Sequence, residues 1–534
     1  MKRILSHLLL AACAVLLLLP PQPTYAAPLT WQDIGSGVQY REFHLPGPNN
    51  VFVARMPRGN PGLALESSIG QGRLSGGAET VSGMARRYHQ SLNNWGEAWG
   101  GLSRVIVAIN GYFFDTETGV PWRGQVQSGW YAKRFDDRQS GSGFAWKADR
   151  SAFVGACVIH RPDKQLITFL PGGQVLSFDG INLPRGQDQL ILYTPHYDAS
   201  TLTGPDGLEV EVELSRPALL LSPPEMVTGT IQAVHDGAGS TPLPFDHIVL
   251  SASGAAAAAL RPLAVVGAQV GLSQEIRSYA EDCRTPLPLD WTRTYAGIGA
   301  SFYFLKDGQV QPSNDLGAIL RHPRTAIAYN DRYIFFIVVD GRDPYHSLGM
   351  SMVELAAFAR GTLGAGWGVA LDGGGSSTLV VHGLVRNNPN AELLRRQAYA
   401  SLPAGPGESS FSLAPSPLPP VQPLDLSNPD RAPAPAERLE RAVANGMLIV
   451  ALEPPLLSQA LAEGQAVTAA AQLQLRLGPG DNYAALADIP PGAAGVVTHD
   501  PHGINGVLAK GQFWWKIDFA GVAGWAPQDL LLHN

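Results

Sequence analysis

Four polar interruptions beside apolar runs bring together carboxylates, guanidiniums, hydroxyls and bare backbone, the residue types that can hold an anion. The stretch ALDGGGSSTLVV (370–381) sets Asp372, Gly373, Gly374, Gly375, Ser376 and Ser377 between two strand-like segments. FIVVDGR contributes Asp340 and Arg342, HPRTAIAY contributes His322 and Arg324, and INGYFFD contributes Asn110. Guanidinium forks and bare backbone N–H groups hold phosphate oxygens. Three successive glycines weaken any regular element, so such a loop serves either a close backbone approach or an anion. Asp340 and Asp372 also offer oxygen ligands, but two carboxylates do not define a metal site, and no cofactor motif accompanies them.

These residues must be positioned by the elements around them. β-Branched and aromatic runs at residues 39–54, 103–110 and 332–340 predict strands, as does the apolar run 367–372. Residues 80–92 predict a helix. Residues 351–363 predict another, with Ser351 as N-cap and Glu354 at the capping-box position. LEVEVEL (208–214) and DHIVLSAS (246–253) read as strands, and 255–259 as a loop or frayed helix. The order strand, helix, strand puts Asp340 and Asp372 each at the carboxyl end of a strand, where loops commonly build sites. The fold class expected is α+β with a sheet-rich core.

At 534 residues, 45% hydrophobic and 16% charged, the chain can form two or more packed domains. With 45 acidic against 38 basic residues and a net charge of −7, there is no basic surplus pointing to nucleic acid. Lys2 and Arg3, the apolar run that follows and the small residues before Ala27 read as a signal peptide over 1–26 and predict a secreted or periplasmic protein. A lipoprotein box at Cys13 is the weaker alternative, because an apolar rather than polar stretch follows it. After cleavage only Cys157 and Cys283 remain, compatible with one disulfide or with two buried thiols. No later run reaches membrane-spanning length. A first domain is expected over 27–453, with a proline-rich insertion near 403–436. A linker over 454–466 and a small all-β module over 467–534 follow.

AINGYFFD, HPRTAIAY, VVDGR, MSMVELAAF, ALDGGGSSTLVV and ERAVANGMLIV, in this order, resemble the phosphodiester glycosidase family typified by the lysosomal uncovering enzyme. The resemblance implies hydrolysis of the bond between an anomeric carbon and a phosphodiester oxygen, releasing a free sugar and a phosphomonoester. It implies Asp372 or Asp340 at the anomeric centre. Arg324, Arg342 and Arg441 would lie on the substrate, the 373–377 loop on its anion, and Asn110 on a sugar hydroxyl. Against this stand structural readings: Arg324 as an ion-pair partner, Glu354 as a cap, His322 as positional rather than a general acid, and Phe113 and Phe114 as core. The C-terminal pattern LQLRLGPGDNY, WWKIDF and GWAPQDLL resembles the bacterial Src-homology-3-like (SH3-like) domain. That resemblance implies a cell-wall ligand, with Trp514, Trp515 and Trp525 either as a ligand face or, the safer expectation, with at least one of them packed in the small core. A non-catalytic glycan- or wall-binding protein is the competing function, and the acid and arginine set argues for the enzyme.

Overall fold

A computed structural model describes residues 30–135, 142–389 and 440–533. The expected signal peptide, Cys13 and the proline-rich insertion lie outside the described residues. Strand accounts for 46% and helix for 10%, a mostly-β form of the α+β class.

Two sheets face one another across a shared apolar core. The first is eight-stranded, and its centre runs Asn49–Pro57, Tyr333–Val339, Arg324–Tyr329, Trp367–Ala370. The second runs Leu379–Val381, Gly101–Asn110, Asn445–Glu453, Leu63–Ile69. Phe52, Met56, Ile327, Phe336 and Val338 of the first meet Leu65, Val107, Ile109, Met447 and Ile449 of the second. Each sheet is also covered on its outer face by a helix. Met352–Leu363 packs Leu355, Phe358 and Ala359 on Val51, Phe335 and Ile337, and Val81–Tyr88 packs Val81, Met84 and Ala85 on Val105, Ala108 and Leu448. Burial on both faces explains why the strand at 333–339 is apolar throughout rather than alternating.

The helix 352–363 begins where the sequence predicts. Ser351 accepts from Glu354 N while Glu354 accepts from Ser351 N, a complete capping box, and Gly364 closes the helix in the left-handed region at φ 68°. Ser351→Ala is expected to lower stability by about 1 kcal/mol, read as a shift of the urea midpoint at unchanged slope.

A third lobe interrupts the sandwich. All strands of its eight-stranded sheet fall between Leu166 and Ser273. Cys157 and Cys283 are disulfide-bonded with their Cα atoms 5.5 Å apart, so the chain enters and leaves this lobe at one place.

The C-terminal strands from Ala466 to Leu532 form one further antiparallel sheet around Leu475, Val497, Trp515 and Ile517. This module does not hang on a free tether. Ile504, Val507, Trp514 and Trp525 bury themselves against Leu92, Leu102 and Phe245. Lys510 Nζ donates to the carbonyls of Arg86, Arg87 and His89, completing the carboxyl end of helix 81–88. His502 Nε2 lies 3.1 Å from Asp246 Oδ2, both side chains almost fully buried. Trp514, Trp515 and Trp525 are all buried, as the core-packing alternative expects for at least one of them, and the ligand-face alternative falls.

Candidate active site

Register explains how distant residues meet. Arg324 pairs with Val339 and Ala326 pairs with Ala370, in antiparallel strands. The strands ending before Asp340 and Asp372 are therefore parallel to one another, with the strand that begins at Arg324 running back between them. Arg324, Asp340 and Asp372 all stand at one edge of the first sheet. Asn110, at the end of a strand of the second sheet, faces the same edge across the sandwich.

A cavity of about 420 Å³ opens there. Its wall includes Asp372, Gly373, Gly374, Gly375, Arg324, Arg342, Arg441, His322, Asp315 and Phe113. Asp372 is 7% exposed. Burial pushes its carboxyl up to about 6, against the opposing pull of the Ser376 hydroxyl, the Arg441 charge, the Gly373 N–H and the Arg342 charge. It is ionised at neutral pH yet close to its titration point.

The three arginines differ. Arg324 Nε donates to the Met350 carbonyl and Nη2 to those of Gly317 and Leu320, while Nη1 has no partner among the described residues. The carbonyls aim the guanidinium, and the ion-pair reading of Arg324 does not hold. Burial and the nearby Arg342 charge lower it to about 10. Arg342 sits in the left-handed region, φ 58°, with an exposed side chain that no described residue bonds. Its Nη2 lies 3.2 Å from where a Cβ on Gly374 would stand. Two like charges that raise each other's energy in a part-buried cavity are relieved by an anion between them.

The glycines now have specific reasons. A Cβ on Gly373 would lie 2.6 Å from the Pro323 carbonyl oxygen, and Gly374 takes φ +64° beneath the Arg342 guanidinium. The expected anion nest of successive N–H groups is not formed. Gly374 N donates to Pro323 O, Ser376 N to Gly373 O and Ser377 N to Gly374 O. Ser376 and Ser377 are buried and do not line the cavity.

Asn110 is likewise not a sugar contact. It is fully buried, donates Nδ2 to the Asp372 carbonyl at 2.8 Å, and accepts from Thr325 Oγ1 and Thr378 N. It clamps the acidic loop to both sheets and positions Asp372. Asp340 lies outside the cavity wall: its carboxylate accepts from Asn387 Nδ2 at 2.9 Å and from Asn388 N. Glu354 is the helix cap and pairs with Arg321. His322 lines the cavity, and burial with the Arg324 and Arg342 charges holds it below the usual histidine range, hence neutral.

Phe113 also departs from the expectation. It is not core but a wall of the cavity, stacked on the exposed Trp122 with ring centroids 6.2 Å apart. Only the alternation YFFD hinted that one of two adjacent phenylalanines must point outward.

The phosphodiester glycosidase family model matches residues 247–401, a segment that contains Arg324, Asp340, Arg342 and Asp372. Among solved structures, a hypothetical protein from Synechocystis aligns at 17% identity over 80% of this chain, TM-score 0.46. The chain spans 64% of that protein's length. A Burkholderia pseudomallei protein described as a candidate for export aligns at 19% identity over 75% of this chain and 74% of its own, TM-score 0.43. The catalytic domain of zebrafish N-acetylglucosamine-1-phosphodiester α-N-acetylglucosaminidase, auto-inhibited by its pro-peptide, aligns at 11% identity over 80% and 84%, TM-score 0.34. No curated protein matches the chain.

Proposed function

We propose that the chain hydrolyses the glycosidic bond of a sugar-1-phosphodiester outside the cytoplasm, with Asp372 at the anomeric carbon. One observation carries this reading: a single buried carboxylate shares a small cavity with the guanidiniums of Arg324, Arg342 and Arg441. The arginines take the phosphodiester anion. Asp372 lies against the sugar and stabilises or captures the cationic centre as the C1–O bond breaks. The bonding pair leaves with the phosphate, which departs as a phosphomonoester whose added charge the guanidiniums meet. Water supplies a hydroxyl to C1, and the neutral His322 accepts its proton. The matched family segment supports glycosidase chemistry on a phosphodiester-linked sugar. Hydrolysis in ¹⁸O-water tests the reading. Label in the sugar supports it, label in the phosphate means P–O cleavage, and no release from a panel of sugar phosphodiesters means a binding protein.

The pH profile follows from the raised Asp372 carboxyl. Phosphodiesters stay singly charged across the range of the profile, so the acid limb belongs to the enzyme, which needs Asp372 ionised and His322 neutral. The value of kcat/KM is therefore expected to be flat above the Asp372 titration at about pH 6 and to fall at least about tenfold per unit below it. Circular dichroism at each pH separates this from unfolding. A rate that rises on acidification would assign Asp372 to proton donation instead.

We further read residues 467–534 as an SH3-like module for a wall glycan. With its tryptophans buried, the surface available to that ligand is a groove walled by Val467, Val496, His499 and Asp518.

A further inference from the structure

The candidate site combines a cationic floor with an apolar rim. Six large hydrophobic side chains stand exposed around it: Phe113 (36%), Trp122 (62%), Leu316 (71%), Ile319 (52%), Leu320 (51%) and Val353 (53%). Phe113 lines the cavity and stacks on Trp122. Leu316 stands in the chain between the lining residues Asp315 and Gly317, Ile319 and Leu320 lie on the same turn, and Val353 follows the lining residue Met352. The turn that carries Leu316, Ile319 and Leu320 is the same one whose carbonyls, at Gly317 and Leu320, hold Arg324. The residues that aim a guanidinium at the cavity thus also fix an aliphatic wall beside it.

Large apolar side chains left exposed beside a cavity are a candidate contact surface. Aliphatic side chains offer no hydrogen bonds to hydroxyls; of the polar neighbours of this turn, Arg321 is paired with Glu354 and Asp315 accepts from Gly317 N as the turn's N-cap. A second saccharide is therefore poorly matched to this wall, whereas a hydrocarbon chain is matched to it. An anion with a hydrocarbon attached satisfies floor and rim together.

Resting on the reading of the site as a phosphodiester glycosidase, we infer that the alcohol on the far side of the phosphate is a lipid: the substrate class is a glycosyl phospholipid, with sugar and phosphate in the cavity and the chain along the rim.

The test compares methyl and dodecyl esters of α-glucose-1-phosphate and of α-N-acetylglucosamine-1-phosphate, below the concentration at which the dodecyl esters form micelles. Each buried methylene multiplies affinity about fourfold, so three or four in contact give about a hundredfold. The dodecyl ester is expected to exceed the methyl ester in kcat/KM by about that factor. Trp122→Ser combined with Leu316→Ser is expected to cut the dodecyl value at least about tenfold and leave the methyl value unchanged, because both side chains are exposed and support no core. Methyl-ester hydrolysis without a dodecyl preference, the result expected if the rim serves a protein partner, overturns the lipid assignment and leaves the glycosidase reading standing. If neither ester is cleaved, calorimetric titration decides: binding of the dodecyl ester that the double variant weakens keeps the lipid assignment while the glycosidase reading falls. Absence of binding overturns the lipid assignment too.

Discussion

Asp372→Asn is expected to give a folded protein that cleaves its sugar phosphodiester about 10²–10³-fold more slowly, equivalent to about 2.7–4 kcal/mol of lost charge stabilisation. The amide keeps the size of the carboxylate, so substrate affinity should change far less than turnover. Stability supplies an internal control. Burial raises this carboxyl to about 6, which means the folded state disfavours its charge, and a neutral replacement should leave the melting temperature equal or higher at pH 7. Loss of activity with retained melting is therefore the signature of a chemical role. Full activity in this variant would move the assignment to Asp340. That carboxylate, however, holds Asn387 and Asn388, so Asp340→Asn should register first as loss of stability.

Removing residues 466–534 is expected to yield an insoluble or unfolded body rather than a free catalytic domain. The cut would expose Phe245, Leu92 and Leu102, take Lys510 from the end of helix 81–88, and strip His502 from the buried Asp246. Asp246 is held far below the ordinary carboxylate range by His247 and His502 against the effect of burial, so it is a buried charge that depends on its partners. His502→Ala alone should cost about 3 kcal/mol, the penalty for leaving such a charge short of a partner. The measurement is denaturant unfolding of the full chain and of the variant. A soluble truncated chain with an unchanged midpoint would show that the docking contributes nothing to the fold.

What could be read from sequence was whatever rests on near neighbours. The capping box at Ser351 and Glu354, the strand before Asp340 and the loop at Asp372 are written in contiguous residues, and all stand as expected. The doubly buried sheet was visible as unbroken apolar runs. Asn110 shows where this fails: a polar residue ending an apolar strand looks the same whether it faces a ligand or ties two sheets together. Its partners at 325, 372 and 378 are set by pairing that no local pattern encodes. The serines after the glycines misled for a similar reason, since hydroxyls suit an anion site and a buried turn equally. The pairing of Asp246 with His502 joins two elements that sequence reading treats as separate domains, and Trp514 and Trp525 pack inward at that docking while Trp515 fills the module's own core.

The disulfide at the neck of the third lobe bears on ancestry. With entry and exit only 5.5 Å apart, the lobe is a graft at one point of the sandwich, removable in principle for a short turn without breaking either sheet. Yet Phe245, Asp246 and Glu213, which anchor the C-terminal module, all belong to the graft. A descendant that lost one would strand the other, so the two are expected to be gained and lost as a pair across genomes, although more than 180 positions lie between Cys283 and Ala466 in the chain.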